Sequence, residues 1–280
     1  MTQPDTQAES GQRAFLHRIL NQAATQMGTT IDGRPVFGWH DRTIGAPVTR
    51  GGQRWWLRAT AEHEQYAHGE QWTGNADAAI LAGIPKPTVV DRAEWNESEV
   101  AIYAELMTFV AAPPCSLTPE LRTAIDLPDT WWRELRSAVD TLGRTPVDRP
   151  MGFGEHGRPQ QEFFGTHVPP PSSWATEHAD LHWANLTHPD MTILDWEFWG
   201  RAPQGYGAAL LHCHSLLVPE IAERVYALFA DLLNTSTGRY AELSAIAYLL
   251  RRADGGDYPD LAAPLRARAE TLLSAGIERP

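Results

Sequence analysis

The chain has 280 residues, a formal net charge of −12 and two cysteines, and 42% of its residues are hydrophobic. This length allows a two-lobed protein with a substantial core, and no run approaches the roughly 18 uncharged residues that a membrane-spanning helix needs. The absence of a basic cluster argues against a nucleic-acid partner, and the polar N-terminus lacks the layout of a signal peptide, so we expect a cytoplasmic protein with no membrane partner.

The first half of the chain predicts a small lobe rich in β-strands. Residues 1–12 are polar and predict a disordered tail, and residues 13–26 have the apolar spacing of an amphipathic helix. Further on, short apolar or alternating runs broken by glycines predict strands, and a helical pattern ends before Gly83 and Pro85. The predicted strands are 36–39, 43–48, 54–59, 87–90 and 100–110, and the predicted helix is 70–81.

The second half predicts a larger and mainly helical lobe. The run Ala111-Ala112-Pro113-Pro114 predicts the boundary between a first lobe of residues 13–111 and a second of residues 112–280. Two short strands, 186–187 and 191–194, are predicted on either side of a turn at 188–190. The predicted helices are 119–125, 128–142, 206–217, 219–233, 240–252 and 264–275. The order of elements predicts an α+β fold.

A polar segment between these helices carries the candidate chemistry. It reads HADLHWAN from His178 to Asn185. Phosphoryl transfer needs a carboxylate near the acceptor hydroxyl and oxygen ligands for Mg²⁺. Asp180 and Asn185, five residues apart, have the spacing between the base and the metal-binding Asn of the general kinase template.

A second acidic segment follows an apolar run and reads DWE from Asp195 to Glu197. Asp195 therefore supplies a candidate for the other metal ligand. Asp195 stands at the end of the predicted strand 191–194, and alternation along that strand points Asp195 and Glu197 to the same face.

Together these two segments resemble the HGDLHxxN catalytic loop and the metal-binding segment of aminoglycoside phosphotransferases and related small-molecule kinases. The resemblance implies a two-lobed, protein-kinase-like fold. It also implies transfer of the γ-phosphate of ATP or GTP, with Mg²⁺, to a hydroxyl of a small molecule, such as an aminoglycoside or a nucleoside- or sugar-bearing antibiotic. The implied roles are base for Asp180, metal ligands for Asn185 and Asp195, and loop brace for His178. Acceptor contacts are expected from Glu197, His182, Trp183 and Trp199.

The resemblance extends more weakly into the small lobe, where it implies nucleotide contacts. The turn at 41–45, with Thr43 and Gly45, is expected over the phosphates, and backbone groups around Met107 and Val110 are expected to meet the purine. The position that holds a phosphate-binding lysine in the family is Arg58 here, and an arginine fork is not a conservative replacement.

Two further positions follow from this resemblance. Glu70 is the expected acidic partner of Arg58, with Asp77 as the second choice. Where the family has an aspartate that braces the catalytic loop, this chain has Gly207, so another group must hold the loop.

Three other interpretations stay open at this point. The alternation of His178, Asp180 and His182 could form a zinc site. Arg58 and Gly207 are compatible with a catalytically silent, kinase-like module that binds a nucleotide or small ligand. A kinase of a metabolite such as choline or a sugar would carry the same motifs. The tryptophans are also compatible with simple core packing.

Overall fold

The computed structural model describes residues 6–151, 163–165 and 170–275. The chain forms two compact units. Of the described residues, the N-terminal unit contains 6–80 together with 87–111, and the C-terminal unit contains 81–86 and those from 112 to 275. The prediction of a first lobe at 13–111 differs from this division in two places: segment 81–86 belongs to the C-terminal unit, and residues 6–12 belong to the N-terminal unit.

The N-terminal unit is built on an antiparallel sheet in the order β1-β3-β4-β6-β5. β2 pairs with the first half of β3, on the same edge that β1 pairs with further along the strand. The strands are β1 Thr30–Ile31, β2 Val36–Phe37, β3 Thr43–Arg50, β4 Gln53–His63, β5 Val89–Glu97 and β6 Val100–Thr108. Helix α1, Thr6–Gln26, covers the sheet. Its apolar stripe of Leu16, Ile19 and Leu20 is buried in one cluster with Ile44 and Leu57 of the strands.

The structure extends two predictions for this unit. Helix α1 begins at Thr6, inside the region predicted as a disordered tail, and residues 1–5 of that tail lie outside the described residues. Strand β5 continues to Glu97, seven residues beyond the predicted end at 90. Its charged residues alternate with half-buried ones along an edge strand, so the run is too polar to signal a strand by hydrophobicity.

The predicted helix at 70–81 is much shorter than expected. An α-helical turn, α2, spans only Gly74–Asp77, and a 3₁₀ turn follows at Ala78–Ile80. Glycine and asparagine at 74 and 75 are weak helix formers, so the residues before Ala76 lack the propensity to start a longer helix. Glu70 therefore lies in an exposed turn before the helix rather than on it.

The C-terminal unit is mainly helical around one pair of strands. Its longer elements are α3 Asp129–Arg144, β7 Trp174–His178, β8 Trp199–Pro203, α4 Tyr206–Ser215, α5 Pro219–Leu228, α6 Ala230–Leu233, α7 Ser236–Asp254 and α8 Ala262–Ala275. Every residue of α4 is buried, and this helix packs against both α5 and α7. Among the described residues, no helix is both long enough and apolar enough to cross a membrane.

The predicted helix and the two predicted strands described next need correction, and one pair of strands was not predicted. The predicted helix at 119–125 is absent, because this segment is irregular. The predicted strands at 186–187 and 191–194 are reduced to isolated bridges, one of which joins Leu186 to Ile193. The antiparallel pair β7 and β8 was not predicted, although its register places His178 opposite Trp199 beside the polar segment.

Candidate active site

The candidate catalytic loop is folded by its own backbone hydrogen bonds. Strand β7 ends at His178, and a 3₁₀ turn at Trp183–Asn185 closes the loop. The Asn185 N–H donates to the carbonyl of His182 at 3.0 Å, and the Leu194 N–H donates to the carbonyl of Asn185 at 2.8 Å. The second contact brings the segment that carries Asp195 next to Asn185.

Asp180 is the acidic residue at the centre of this loop. Nδ2 of Asn185 donates to the Asp180 backbone carbonyl at 2.9 Å and lies 3.3 Å from its carboxylate Oδ2. Nε2 of His182 lies 3.5 Å from the same Oδ2, and the Asp180 side chain is 34% exposed. Burial raises the pKa of Asp180. The charge and hydrogen bond of His182, together with the electrostatic effect of His178 and His214, outweigh burial and lower the pKa to about 2. Asp180 is therefore ionised at neutral pH and still reaches solvent.

His178 connects the catalytic loop to the segment before Asp195. Its Nε2 lies 3.1 Å from the Leu194 carbonyl, and its Nδ1 lies 3.3 Å from the Asp180 N–H. These contacts fit one neutral tautomer, in which Nε2–H donates and Nδ1 accepts. Burial lowers the pKa of His178 to about 4, so the ring is neutral at physiological pH. The role of His178 as a brace of the loop stays a prediction.

Asp195 has a backbone conformation that is rare for a residue with a side chain. Its φ is +55°, in the left-handed region that asparagine and aspartate tolerate best. Strain of this kind is concentrated at functional sites. The prediction that Asp195 and Glu197 share one face of a strand is wrong, because residues 196–197 form a turn.

The residues around Asn185 fit a hard cation such as Mg²⁺. The Nδ2 atom of Asn185 is engaged by Asp180, so Oδ1 is the atom of its amide suited to a cation. Asp195 on the adjacent segment supplies carboxylate oxygens. Oxygen donors from one or two side chains, completed by phosphate oxygens and water, are typical of Mg²⁺ sites.

The structure argues against the zinc alternative. Both ring nitrogens of His178 are engaged in the hydrogen bonds described above. Within residues 6–151, 163–165 and 170–275, no three or more His, Cys, Asp or Glu side chains are grouped to hold a metal ion. The His-Asp-His alternation therefore reflects the folding of the loop.

Two of the four residues predicted to contact the acceptor are core residues. Trp183 is completely buried, stacks on Trp131 with ring centroids 6.3 Å apart, and donates its indole N–H to Ser215 Oγ at 2.9 Å. Trp199 is 2% exposed beneath the Arg149 guanidinium, which lies 4.5 Å from its ring. We therefore correct the prediction for both residues, since neither presents a surface to a ligand.

His182 and Glu197 are the other two predicted acceptor contacts. His182 is buried and faces Asp180, and its ring lies 5.4 Å from the ring of His214 on α4. Glu197 is half-buried in the turn after Asp195. The acceptor role of both residues stays a prediction.

In the N-terminal unit, Arg58 is held by neighbours that the sequence analysis did not identify. Its Nη1 donates to Thr60 Oγ1 at 2.9 Å on the same face of β4. Its Nη1 also lies 3.6 Å from Oε2 of Glu105, which sits directly opposite it on β6. Glu105 is only 1% exposed and accepts a hydrogen bond from Asn75 Nδ2 at 2.9 Å. Cross-strand register alone brings Arg58 and Glu105 together, and this register could not be derived from the sequence.

The predicted phosphate turn at 41–45 is divided between two structures. A 3₁₀ turn covers Trp39–Asp41, and β3 already begins at Thr43. Gly45 therefore lies in a strand, where a Cβ would come within 2.5 Å of the Trp56 ring. We correct the turn assignment of Gly45, because this glycine makes room for an indole.

Met107 and Val110, the residues predicted to contact the purine, lie at the end of strand β6 and just beyond it. Met107 is buried on β6, and Val110 is half-buried two residues beyond the end of that strand. Their contact with a purine stays a prediction.

Glu177 is a residue that the sequence analysis missed. Its carboxylate accepts the N–H of Gly205 at 2.7 Å and the N–H of Gly207 at 3.0 Å, and its side chain is almost fully buried. Burial raises the pKa of Glu177 to about 7, against the lowering effect of the two N–H groups. A glutamate directly before the HADLHWAN loop was the available signal, but only the fold shows what it binds.

No protein-family model and no curated protein sequence matches the chain, whereas many solved structures do. One is aminoglycoside phosphotransferase APH(4)-Ia, a thermostable mutant in a ternary complex with AMP-PNP and hygromycin B. It has a TM-score of 0.62 and 12% identity and covers 93% of this chain and 99% of its own.

Two further structures have similar coverage. Amicoumacin kinase hAmiN, in complex with AMP-PNP, Ca²⁺ and Ami, has a TM-score of 0.59 and 11% identity and covers 93% of each chain. Macrolide 2′-phosphotransferase MphH from Brachybacterium faecium has a TM-score of 0.53 and 15% identity and covers 95% of this chain and 98% of its own. The chain therefore has the α+β, kinase-like fold of these small-molecule phosphotransferases.

Proposed function

We propose that the chain is a small-molecule kinase that transfers the γ-phosphoryl group of ATP or GTP to a hydroxyl of its acceptor. The observation that carries this proposal is the arrangement of Asp180, Asn185 and Asp195. An ionised, solvent-reaching carboxylate lies beside two oxygen donors on adjacent segments. Phosphoryl transfer requires this combination of an orienting carboxylate and a metal-binding pair.

Asp180 orients the acceptor hydroxyl in this mechanism. The hydroxyl oxygen attacks the γ-phosphorus as the bond between that phosphorus and the bridging oxygen breaks, which releases the nucleoside diphosphate. Asp180 is ionised, but a carboxylate is too weak a base to remove the proton of a free hydroxyl before attack. It accepts a hydrogen bond from the hydroxyl and takes the proton as the new P–O bond makes that proton acidic.

Asn185 and Asp195 are the proposed ligands of Mg²⁺. When bound, Mg²⁺ neutralises the charge that develops on the phosphate oxygens. The hydrogen bond from Asn185 Nδ2 to the Asp180 carbonyl leaves Oδ1 as the amide atom that would bind the metal. The hydrogen bond from the Leu194 N–H to the Asn185 carbonyl holds the segment that carries Asp195 beside Asn185.

Arg58 is the proposed phosphate ligand of the N-terminal unit. Its side chain is 13% exposed and lies beside the buried Glu105, so most of its conformational freedom is already lost before a nucleotide binds. A planar guanidinium can bind two phosphate oxygens at once. This supports an arginine in the role that a lysine has in related enzymes.

We propose an antibiotic as the acceptor and inactivation of that antibiotic as the biological outcome. The similar structures support this choice, because their names record hygromycin B, amicoumacin and macrolides as substrates or ligands. A metabolite kinase would carry the same catalytic loop, so the acceptor must be established by measurement.

The test is a turnover assay with Mg²⁺ and either ATP or GTP against a panel of acceptors. The panel contains hygromycin B, spectinomycin, amicoumacin, a macrolide, choline and simple sugars. We expect a phosphate monoester of one antibiotic, and a kcat/KM at least about tenfold above that of choline or a sugar. A preferred metabolite would overturn the antibiotic assignment but retain the kinase. Tight nucleotide binding with no product from a broad panel would favour a silent module.

A further inference from the structure

Glu177 lies where the end of strand β7 meets the first turn of helix α4. It lies on β7, one residue before His178, and its carboxylate reaches the first turn of α4. Gly205 is the N-cap residue of α4 and has no side chain with which to cap the helix. The first N–H groups of a helix need an acceptor, and Glu177 supplies it from a strand 28 residues earlier in the chain.

The geometry leaves no room for a side chain at position 207. A Cβ on Gly207 would lie 2.9 Å from the His178 carbonyl oxygen and 3.2 Å from Glu177 Oε2. The backbone of α4 therefore lies so close to His178 that position 207 has space only for a glycine. The contact depends on a carboxylate from the strand and on a glycine in the helix.

The contact between Glu177 and α4 is linked to Asp180 by the two residues that lie between them in the sequence. Glu177 fixes the backbone at the end of β7 against α4. His178 follows and hydrogen-bonds to Leu194 and to the Asp180 N–H, and the Ala179 N–H donates to the Phe198 carbonyl at 2.8 Å. The start of the loop is therefore held on one side by α4 and on the other by the segment that leads to and follows Asp195.

We propose that Glu177 is a positioning residue, whose buried carboxylate anchors the catalytic loop to the N-terminus of α4 and thereby sets the position of Asp180. The inference rests on the proposed kinase function for its kinetic consequence, but the anchoring itself does not depend on that function. Glu177 touches no reacting atom and acts through His178 and Asp180.

The principal test compares Glu177→Gln with Glu242→Gln. In the first variant, an NH₂ group replaces one carboxylate oxygen and faces a backbone N–H. The control removes a carboxylate that is equally buried in the same unit, held by Arg268 and His212 and far from the loop in sequence. At a temperature where both are folded, Glu177→Gln should lower kcat about 10- to 100-fold, as supporting contacts around a reactive group do. The KM values for nucleotide and acceptor should change less than about threefold.

A second variant perturbs the same contact from the helix side. Gly207→Ala keeps the carboxylate but pushes the helix away from the His178 carbonyl. It should reproduce the fall in kcat with little change in KM. If Glu177→Gln does not fold, Gly207→Ala carries the kinetic test.

Hydrogen exchange gives a readout that does not require turnover. Glu177→Gln, or Gly207→Ala in its place, should speed exchange of the Ala179 and Asn185 amides at least about tenfold relative to amides of α7, because both belong to the anchored loop. Glu242→Gln should not change that ratio. Unchanged loop exchange, or an equal loss of kcat in Glu242→Gln, would overturn the proposal. If the unmodified protein phosphorylates no acceptor, the kinase assignment fails, and the exchange ratio alone decides whether Glu177 anchors the loop.

Discussion

The two units hold their proposed functional side chains in different ways. In the N-terminal unit, Arg58 is oriented by a neighbour across the sheet, Glu105 on β6. In the C-terminal unit, Asp180 is oriented by residues of its own loop, Asn185 and His182. Substitutions in the sheet should therefore act on nucleotide binding, and substitutions in the loop should act on the chemical step.

The largest effect is expected at Asp195. Asp195→Asn keeps a residue that tolerates φ of +55° but removes the negative charge of the proposed metal ligand. We expect kcat/KM to fall about 10³-fold, or about 4 kcal/mol, with a higher Mg²⁺ concentration for half-maximal rate. A Mg²⁺ titration of the initial rate measures both. A normal Mg²⁺ dependence would show that Asp195 does not bind the metal.

The next effect concerns stability and pH at Glu177. Its pKa is raised from 4.5 to about 7 in the folded state, so folding favours the protonated form. The contribution of Glu177 to stability is then fully present below pH 4.5 and is lost as the pH rises through 7. A pKa difference of about 2.5 corresponds to about 3 kcal/mol.

Urea unfolding of the unmodified protein and Glu177→Gln between pH 4 and about 8 measures this contribution. The free energy of unfolding of the unmodified protein, minus that of the variant, should decrease from pH 4.5 to 7 and then become level. A difference that rises with pH would mean that the carboxylate is already ionised in the folded protein at low pH.

Trp183 distinguishes a core residue from an acceptor contact. Trp183→Phe removes the hydrogen bond to Ser215 Oγ and part of the stack on Trp131, and should cost about 2 kcal/mol of stability. The KM for the acceptor should not change. Trp174→Phe is the control, because Trp174 is 40% exposed. An increased acceptor KM with unchanged stability would restore Trp183 to the binding site.

The smallest effect is expected in the sheet. Glu105→Gln keeps the shape of the side chain but removes the charge beside Arg58, so Arg58 should be less well oriented. We expect the KM for ATP to rise about tenfold, or about 1.4 kcal/mol, with kcat changed less than about threefold. Glu94→Gln on the exposed edge strand β5 is the control. A change confined to kcat would contradict the division of roles between the units.

The difference between contacts within one loop and contacts across a sheet explains which features could be predicted from the sequence. Asp180 and Asn185 are five residues apart in one loop, so their contact follows from local spacing. Strands β3 and β4 and helix α3 follow from hydrophobic patterning, whereas α4 is buried on all sides and was predicted from its run of helix-forming residues. The partnership of Arg58 with Glu105 depends on strand register, and that of Glu177 with Gly205 and Gly207 depends on tertiary packing. Neither leaves a periodic signal in the sequence.

Three incorrect predictions have the same origin, because each inferred the surroundings of a side chain from its position in the sequence. Trp183 and Trp199 were predicted beside the acceptor from their position in the chain, but their indoles are buried, and position alone does not reveal the direction of a side chain. Alternation was applied to Asp195 and Glu197, but the backbone at Asp195 leaves the extended conformation. Gly45 was predicted in a turn because the sequence does not show where the Trp56 ring lies. That ring, on the neighbouring strand β4, occupies the space that a Cβ of residue 45 would take.

The most direct test of the kinase assignment is transfer of label from γ-labelled ATP to the preferred acceptor, by the unmodified protein and by Asp180→Asn. The substitution keeps the size of the side chain but removes the carboxylate that orients the hydroxyl. We predict labelled phosphate monoester from the unmodified protein, a rate about 10³-fold lower from Asp180→Asn, and nearly equal nucleotide affinity for both. Equal rates of transfer from the two proteins, or no nucleotide binding by either, would contradict the assignment.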